Sequence, residues 1–242
     1  MLVKTEAIVL RMLKYGDQRN IVDMFTREQG HQAFIVTVPK TGRGRLKRQY
    51  FQPLTLLAIE ADLRPTVQLQ KLRDASLLAP LSSLHDDVRK LSLSLFLSEF
   101  LFHALKGEQQ NGPLFQYVAN SMEWLDGCRE QYANFHLVFL MRLSRFLGFW
   151  PNLEGSRQAG LFFDLRSATF TAAAPLHSDF LQPEEAAVIG TLMRMDYASM
   201  HLFRLTRQQR TRILELLLLY YRLHVPEFPE LRSPEVLHEL FA

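Results

Sequence analysis

Residues 6–30 read EAIVLRMLKYGDQRNIVDMFTREQG, two runs rich in aliphatic and β-branched side chains separated by Tyr15-Gly16-Asp17 and closed by Glu28-Gln29-Gly30. Apolar runs this short, ended by residues that accept turn backbone angles, suit strands better than helices. The punctuation continues to about residue 79. HQAFIVTV (31–38) runs into PKTGRGRLKRQY, and FQPLTLLAIE (51–60) and TVQLQKLRDA (66–75) flank Asp62–Pro65. Five short strands in about 80 residues predict a compact meander closed into a small barrel. On pattern alone both an SH3-like barrel and an OB-fold, a five-stranded, partly open barrel that commonly binds oligonucleotides, remain open.

After Pro80 the period becomes helical. SSLHDDVRKLSLSLFLSEFLFHAL (82–105) opens with Ser83 three residues before Asp86, a spacing like a capping box, and ends at Gly107. A second helix has Pro113 in its first turn and stops at Gly127, and a third, NFHLVFLMRLSRFLGFW (134–150), ends around Gly148–Pro151. Two more begin near Pro183 and at Thr206, where Gln209 completes a capping box. Pro226 ends the latter, and Ser233-Pro234 starts a short last one. Between the third and fourth, residues 152–182 carry little helical signal, and LFFDLRSATFT (161–171) predicts a hairpin around Arg166-Ser167. The fold class is therefore α+β: a barrel domain over 1–80, then a mostly helical domain over 81–242 with a small non-helical insertion.

Charge separates the two parts further. Residues 1–80 hold 13 Lys and Arg against 7 Asp and Glu, a net +6, whereas 81–242 hold 15 against 18, a net −3. The barrel is the part suited to a polyanion. A single cysteine, Cys128, permits no intramolecular disulfide. Charges interrupt the apolar stretch at the N-terminus, unlike a signal peptide, and the longest apolar run, ILELLLLYY (213–221), is too short to cross a bilayer. The chain reads as cytosolic.

Several chemistries find no support. GRGRL (42–46) lacks the third glycine of a dinucleotide loop, no Walker pattern occurs, and no Gly-x-Ser-x-Gly is present. The eight histidines are scattered without a His-x-x-x-His pair, which argues against a metal site. The adjacent carboxylates Asp86-Asp87 and Glu184-Glu185 fall at helix starts, where they answer the helix dipole. Neither catalysis nor a cofactor is indicated, and an enzyme of unrecognised type is the rival from another class.

The loop Lys40, Arg43, Arg45, Lys47 and Arg48 concentrates five cations in nine residues, with Gly42 and Gly44 keeping its backbone adaptable. Such cations can follow a phosphate backbone without fixed geometry, although a simply solvated loop is the alternative. Lys14, Arg19, Lys71 and Arg73 extend the candidate patch. Tyr50 and Phe51 offer stacking surfaces or, equally, barrel core.

The ordered set AIVLRMLKYGDQRNIVDMFTREQG (7–30), VPKTGRGRLKRQYFQPL (38–54) and LMRLSRFLGFWPNL (140–153) resembles the RecO family of bacterial recombination and DNA-repair mediators over essentially the whole chain. The resemblance implies an OB-fold and a helical domain that bind single- and double-stranded DNA and anneal complementary strands without ATP. It implies RecR, often RecF, as partners in loading recombinase onto DNA coated by single-stranded-DNA-binding protein, and a bacterial, nucleoid-associated setting. On this chain it makes Lys40, Arg43, Arg45, Lys47 and Arg48 backbone-contacting candidates, supported by Lys14 and Arg19. It further suggests that Arg142 and Arg145, three apart on one helical face, meet the acidic, phenylalanine-ended tail of single-stranded-DNA-binding protein. Many members resembling this one carry a four-cysteine zinc site in the segment after that helix, but residues 151–182 contain no cysteine, so zinc is not expected. An RNA- or tRNA-binding OB-fold adapter is the rival reading among binding modules.

Overall fold

The computed structural model describes residues 1–16, 19–38, 46–64, 67–154 and 160–234. The chain divides into two compact units, one of Met1–Gly127 rejoined by the chain from Leu231, the other of Cys128–Glu230. The division does not follow the change of period near residue 80, because the first helices pack with the barrel.

Five strands form the barrel: β1 (Leu2–Tyr15), β2 (Arg19–Thr26), β3 (Gly30–Thr37), β4 (Leu56–Asp62) and β5 (Leu69–Leu77). They follow the expected order in sequence but not in space. A meander would set β3 beside β4, whereas here β3 pairs with β5 in parallel and β4 returns to β1, giving a closed β1-β2-β3-β5-β4 barrel. This is the OB arrangement. The fourteen residues of β1 serve two neighbours, Leu2–Ile8 pairing with β4 and Ala7–Tyr15 with β2, and a bulge between Val9 and Arg11 lets the strand bend between them. Inward side chains alternate as the pleat requires, and Ala7, Val9, Val22, Met24, Phe34, Leu57, Ile59 and Leu72 build the core. Gln70 is buried, and its amide bonds the Arg64 N–H at 2.8 Å and the Arg64 carbonyl at 3.0 Å, fixing the β4–β5 turn.

The first predicted helix is broken in two. α1 (Ser83–Asp86) ends at an extended Asp87, whose carboxylate accepts from the Arg89 and Lys90 N–H groups and caps α2 (Val88–Ala104). The cap that sequence placed at Ser83 thus belongs to Asp87. α3 (Gly112–Gly127) completes this layer. Lys90 is buried, its ammonium donating to Ser83 Oγ at 2.7 Å and to the Asp126 carbonyl at 2.9 Å, so one cation joins all three helices. Buried Ser92 and Ser98 satisfy their hydroxyls on the carbonyls of Val88 and Leu95, which lets α2 pack on nearly every side.

The second unit has α4 (Phe135–Phe146) at its centre, with a three-stranded sheet of β6 (Phe162–Asp164), β7 (Thr169–Thr171) and β8 (Phe180–Leu181), then α5 (Pro183–Arg194) and α6 (Arg207–His224). The predicted hairpin is β6–β7, and β8 was not foreseen. The Thr206–Gln209 capping box starts α6 as read from sequence. Tyr221 in α6 donates to the Leu140 carbonyl at 2.7 Å inside the unit.

Gly30 shows how closely the barrel meets its helices. Its φ is +66°, and a Cβ there would lie 2.1 Å from the Glu108 carbonyl oxygen, the same oxygen that accepts from His31 N–H at 3.0 Å. Gly30→Ala adds left-handed strain to a clash with backbone, and we expect a loss of about 3 kcal/mol in urea unfolding of the full chain. Protonation provides a second test. Burial lowers the pKa of His31, against the opposing pull of Asp23, and likewise lowers those of His85 and His103. The unfolded chain therefore takes up these protons first, so stability is constant well above about pH 6.5 and falls as pH drops through it. Urea midpoints between pH 7.5 and 5.5 should decline, and His31→Gln should flatten the decline.

Candidate nucleic-acid interface

Strand register decides which face each candidate occupies. The Leu13↔Ile21↔Ile35↔Lys71 partners form one rung across β1, β2, β3 and β5, and Tyr15↔Arg19↔Thr37 form the next rung on the same outer face. On the other side of the first rung, Arg11 pairs with Asp23 at 3.0 Å and lies 3.6 Å over the Phe102 ring of α2, so helices cover the outer face there. Beyond that cover, Leu13 and Tyr15 remain 44% and 50% exposed. Lys14 shares its rung with Asn20 and Val36 and follows the inward parity of Met12 and Val22 to the rim of the barrel.

The cations of the basic loop divide. Lys40, Arg43 and Arg45 lie outside the described residues. Lys47 and Arg48 are exposed, Lys47 extended just before a 3-10 turn, Arg48–Phe51, and Arg48 at its start. Phe51 is buried in the barrel core, which answers the question left by sequence and removes it as a stacking surface. Tyr50 is half-buried against the same core, with the Lys47 ammonium 5.8 Å from its ring centre.

Ion pairing distinguishes the cations. Lys4 pairs with Glu60, Arg11 with Asp23, Arg27 with Glu6, and Arg73 with Asp62 through Nε at 2.7 Å and Nη2 at 2.6 Å. The Arg73 contact holds the Asp62 carboxyl below its usual range and neutralises a charge counted in the candidate patch. Lys14, Arg19, Arg48 and Lys71 form no salt bridge to another described residue.

In the second unit the two arginines of α4 part company. Arg142 donates from Nε at 3.1 Å and Nη2 at 2.9 Å to the Met195 carbonyl at the end of α5, while Arg145 is exposed. The insertion is closed by side chains. Arg166 pairs with Asp179 at 2.6 Å. Asp164 accepts from Arg166 N–H at 2.8 Å and faces His177 Nε2 at 3.4 Å, and His224 of α6 bonds the Leu165 carbonyl at 2.8 Å. No group of three His, Cys, Asp or Glu side chains placed to hold a metal occurs among the described residues.

Sequence reasoning missed the outward apolar rung, in which Leu13 and Tyr15 are exposed and Ile21 and Ile35 half-buried. The signal was present: Ile21-Val22 and Ile35-Val36 put aliphatic side chains on both faces of their strands, which requires either cover or a use for the outer one.

A closed five-stranded barrel in the OB arrangement followed by helical elements defines the class as an α+β protein with an N-terminal OB-fold. A family model described as Recombination protein O N terminal matches residues 1–81, and one described as Recombination protein O C terminal matches 85–234. Proteins named DNA repair protein RecO from Phocaeicola vulgatus and Bacteroides fragilis are each 50% identical over 242 residues, and one from Flavobacterium psychrophilum is 31% identical over 244, all covering both chains in full. The chain belongs to the RecO family of DNA repair proteins. Its relatives are bacterial, and no helix among the described residues is long and apolar enough to cross a membrane.

Pairing sets an expected difference between variants. Arg19→Ala and Arg48→Ala should each flatten the dependence of log affinity for single-stranded DNA on log salt by about 0.7, whereas Lys4→Ala, which removes a cation paired with Glu60, should leave the slope unchanged. Fluorescence anisotropy across a salt series reads all three.

Proposed function

We propose that this chain is a non-enzymatic DNA repair and recombination mediator. It binds single- and double-stranded DNA through the barrel, anneals complementary strands, and with RecR, and often RecF, helps load recombinase onto DNA coated by single-stranded-DNA-binding protein. The observation that carries this reading is a contrast in pairing: Lys4, Arg11, Arg27 and Arg73 are neutralised by carboxylates, while Arg19 and Lys71 beside the outer rung, Lys14 at the rim and Arg48 at the barrel end have no carboxylate partner among the described residues. Phosphate neutralisation lets two like-charged strands approach, and contacts confined mainly to the backbone leave base edges free to pair. Lys47 belongs to the same set, and Lys40, Arg43 and Arg45 join it from sequence alone.

A protein-binding role for the helical half rests on α4. With Arg142 held by Met195, Arg145 is the cation that would meet the carboxylates of an acidic, phenylalanine-ended tail. The family membership supports a cytoplasmic, nucleoid-associated setting. The rival adapter would present the same cations to RNA, and matched DNA and RNA oligomers separate the two.

The test is annealing of two complementary labelled DNA strands coated by the cognate single-stranded-DNA-binding protein, without ATP. The parent should accelerate annealing, and Arg19→Ala combined with Arg48→Ala should slow it at least severalfold. Failure of the parent, with tight binding to RNA, would favour the adapter.

A further inference from the structure

A second surface at the barrel end is distinct from the outer rung. Between β1 and the chain that follows the 3-10 turn lies a shallow groove of about 470 Å³, lined by Met12, Arg48, Gln49, Phe51, Gln52 and Pro53. Its apolar side comes from inside the barrel. Met12 packs on the core from the inward face of β1, and Phe51 is almost wholly buried beneath it. Leu54, with φ +61°, donates its N–H to the Val9 carbonyl at 2.8 Å, so the 51–54 segment is fastened to the β1 bulge and the groove is backed by fixed backbone. Its rim is polar. Gln49 and Gln52 are exposed with side-chain amides that bond no other described residue, and Arg48 supplies an unpaired positive charge.

We propose that this groove receives one unstacked nucleobase of a single-stranded DNA whose phosphates lie on the Arg48 side. The inference rests on the DNA-binding reading above and adds a place where a base, rather than the backbone, is held. Three features select this occupant. A thioether and a proline ring offer a flat, polarizable apolar surface of the kind a base π-face contacts. Two amides, each with donors and an acceptor, match the mixed edge of a base, whereas a carboxylate-rich peptide would use only their N–H groups. The Arg48 guanidinium among the lining residues, with no salt bridge to a described residue, offers the phosphate of such a nucleotide a charge partner. Holding one base by its face immobilises the strand while its neighbours stay open to pairing.

The experiment compares a thymidine oligomer with an oligomer of equal length carrying abasic sites, at several salt concentrations, using the full chain. The parent should bind the thymidine oligomer about tenfold more tightly. Gln49→Ala with Gln52→Ala changes only exposed positions and should reduce that ratio severalfold. Adding Met12→Ala should bring the ratio close to one, with the salt slope unchanged in both variants. A parent that binds the two oligomers equally, or variants that keep the parent's ratio while remaining folded by thermal melting, would overturn the base site and leave DNA binding by the cations intact. Absence of binding to either oligomer would instead overturn the DNA-binding reading, and the base site with it.

Discussion

The contact on which the first unit depends is the approach of Gly30 to the backbone at Glu108 and Gln109. Only a residue without Cβ fits, and the adjacent His31 N–H fixes the distance by bonding the Glu108 carbonyl. That approach sets the β2–β3 turn against the loop after α2, and the rest of the packing follows from it. Phe25 reaches Phe115 of α3 with ring centres 6.0 Å apart, Arg27 bonds Gln116, and Arg11 lies over Phe102. Helices thereby cover one half of the outer face of β1 and β2 and leave the other half bare. The position of the candidate interface is a result of how the barrel is docked as much as of its own side chains.

Within that bare half, charge is sorted by carboxylate placement. Asp62 opposes Lys71 across the β4–β5 ladder, yet its oxygens are taken by Arg73. Lys71 is thus left beside Ile35 without a partner, and Arg73 is the cation lost to the solvent-facing pair. A count of lysines and arginines weights the two equally. Such exposed pairs add little to stability, so their larger effect here is to determine which charges a phosphate can find.

Much of this was legible in the sequence, and the gaps have physical causes. Local chemistry was read well where it is local: Thr206 with Gln209 caps a helix by bonds three residues apart, and Arg166-Ser167 turn a hairpin over a few residues. Spatial strand order was not legible from the pattern of strands and turns and came only with the OB-fold that the family resemblance implies, because pairing β3 with β5 instead of β4 depends on closure of the whole barrel. Asp86-Asp87 marked a helix start, but two adjacent carboxylates do not reveal which one caps until the chain breaks at Asp87. Arg142 and Arg145 have the same spacing on any helix, and only the arrival of the Met195 carbonyl, far along the chain, separates a positioning arginine from an exposed one. Phe51 looked equally fit for stacking or core, since composition cannot tell which way a 3-10 turn faces.

The closure of the insertion has a consequence for the conditions under which the molecule can work. Where thiolates hold such a segment, peroxide can convert them to sulfenic and higher acids and release it. Here Arg166, Asp179, Asp164 and His177 hold the strands together, with His224 fastening Leu165 to α6, and residues 151–182 contain no cysteine. An oxidant that damages DNA therefore finds no thiol in this segment of a chain from a DNA repair family.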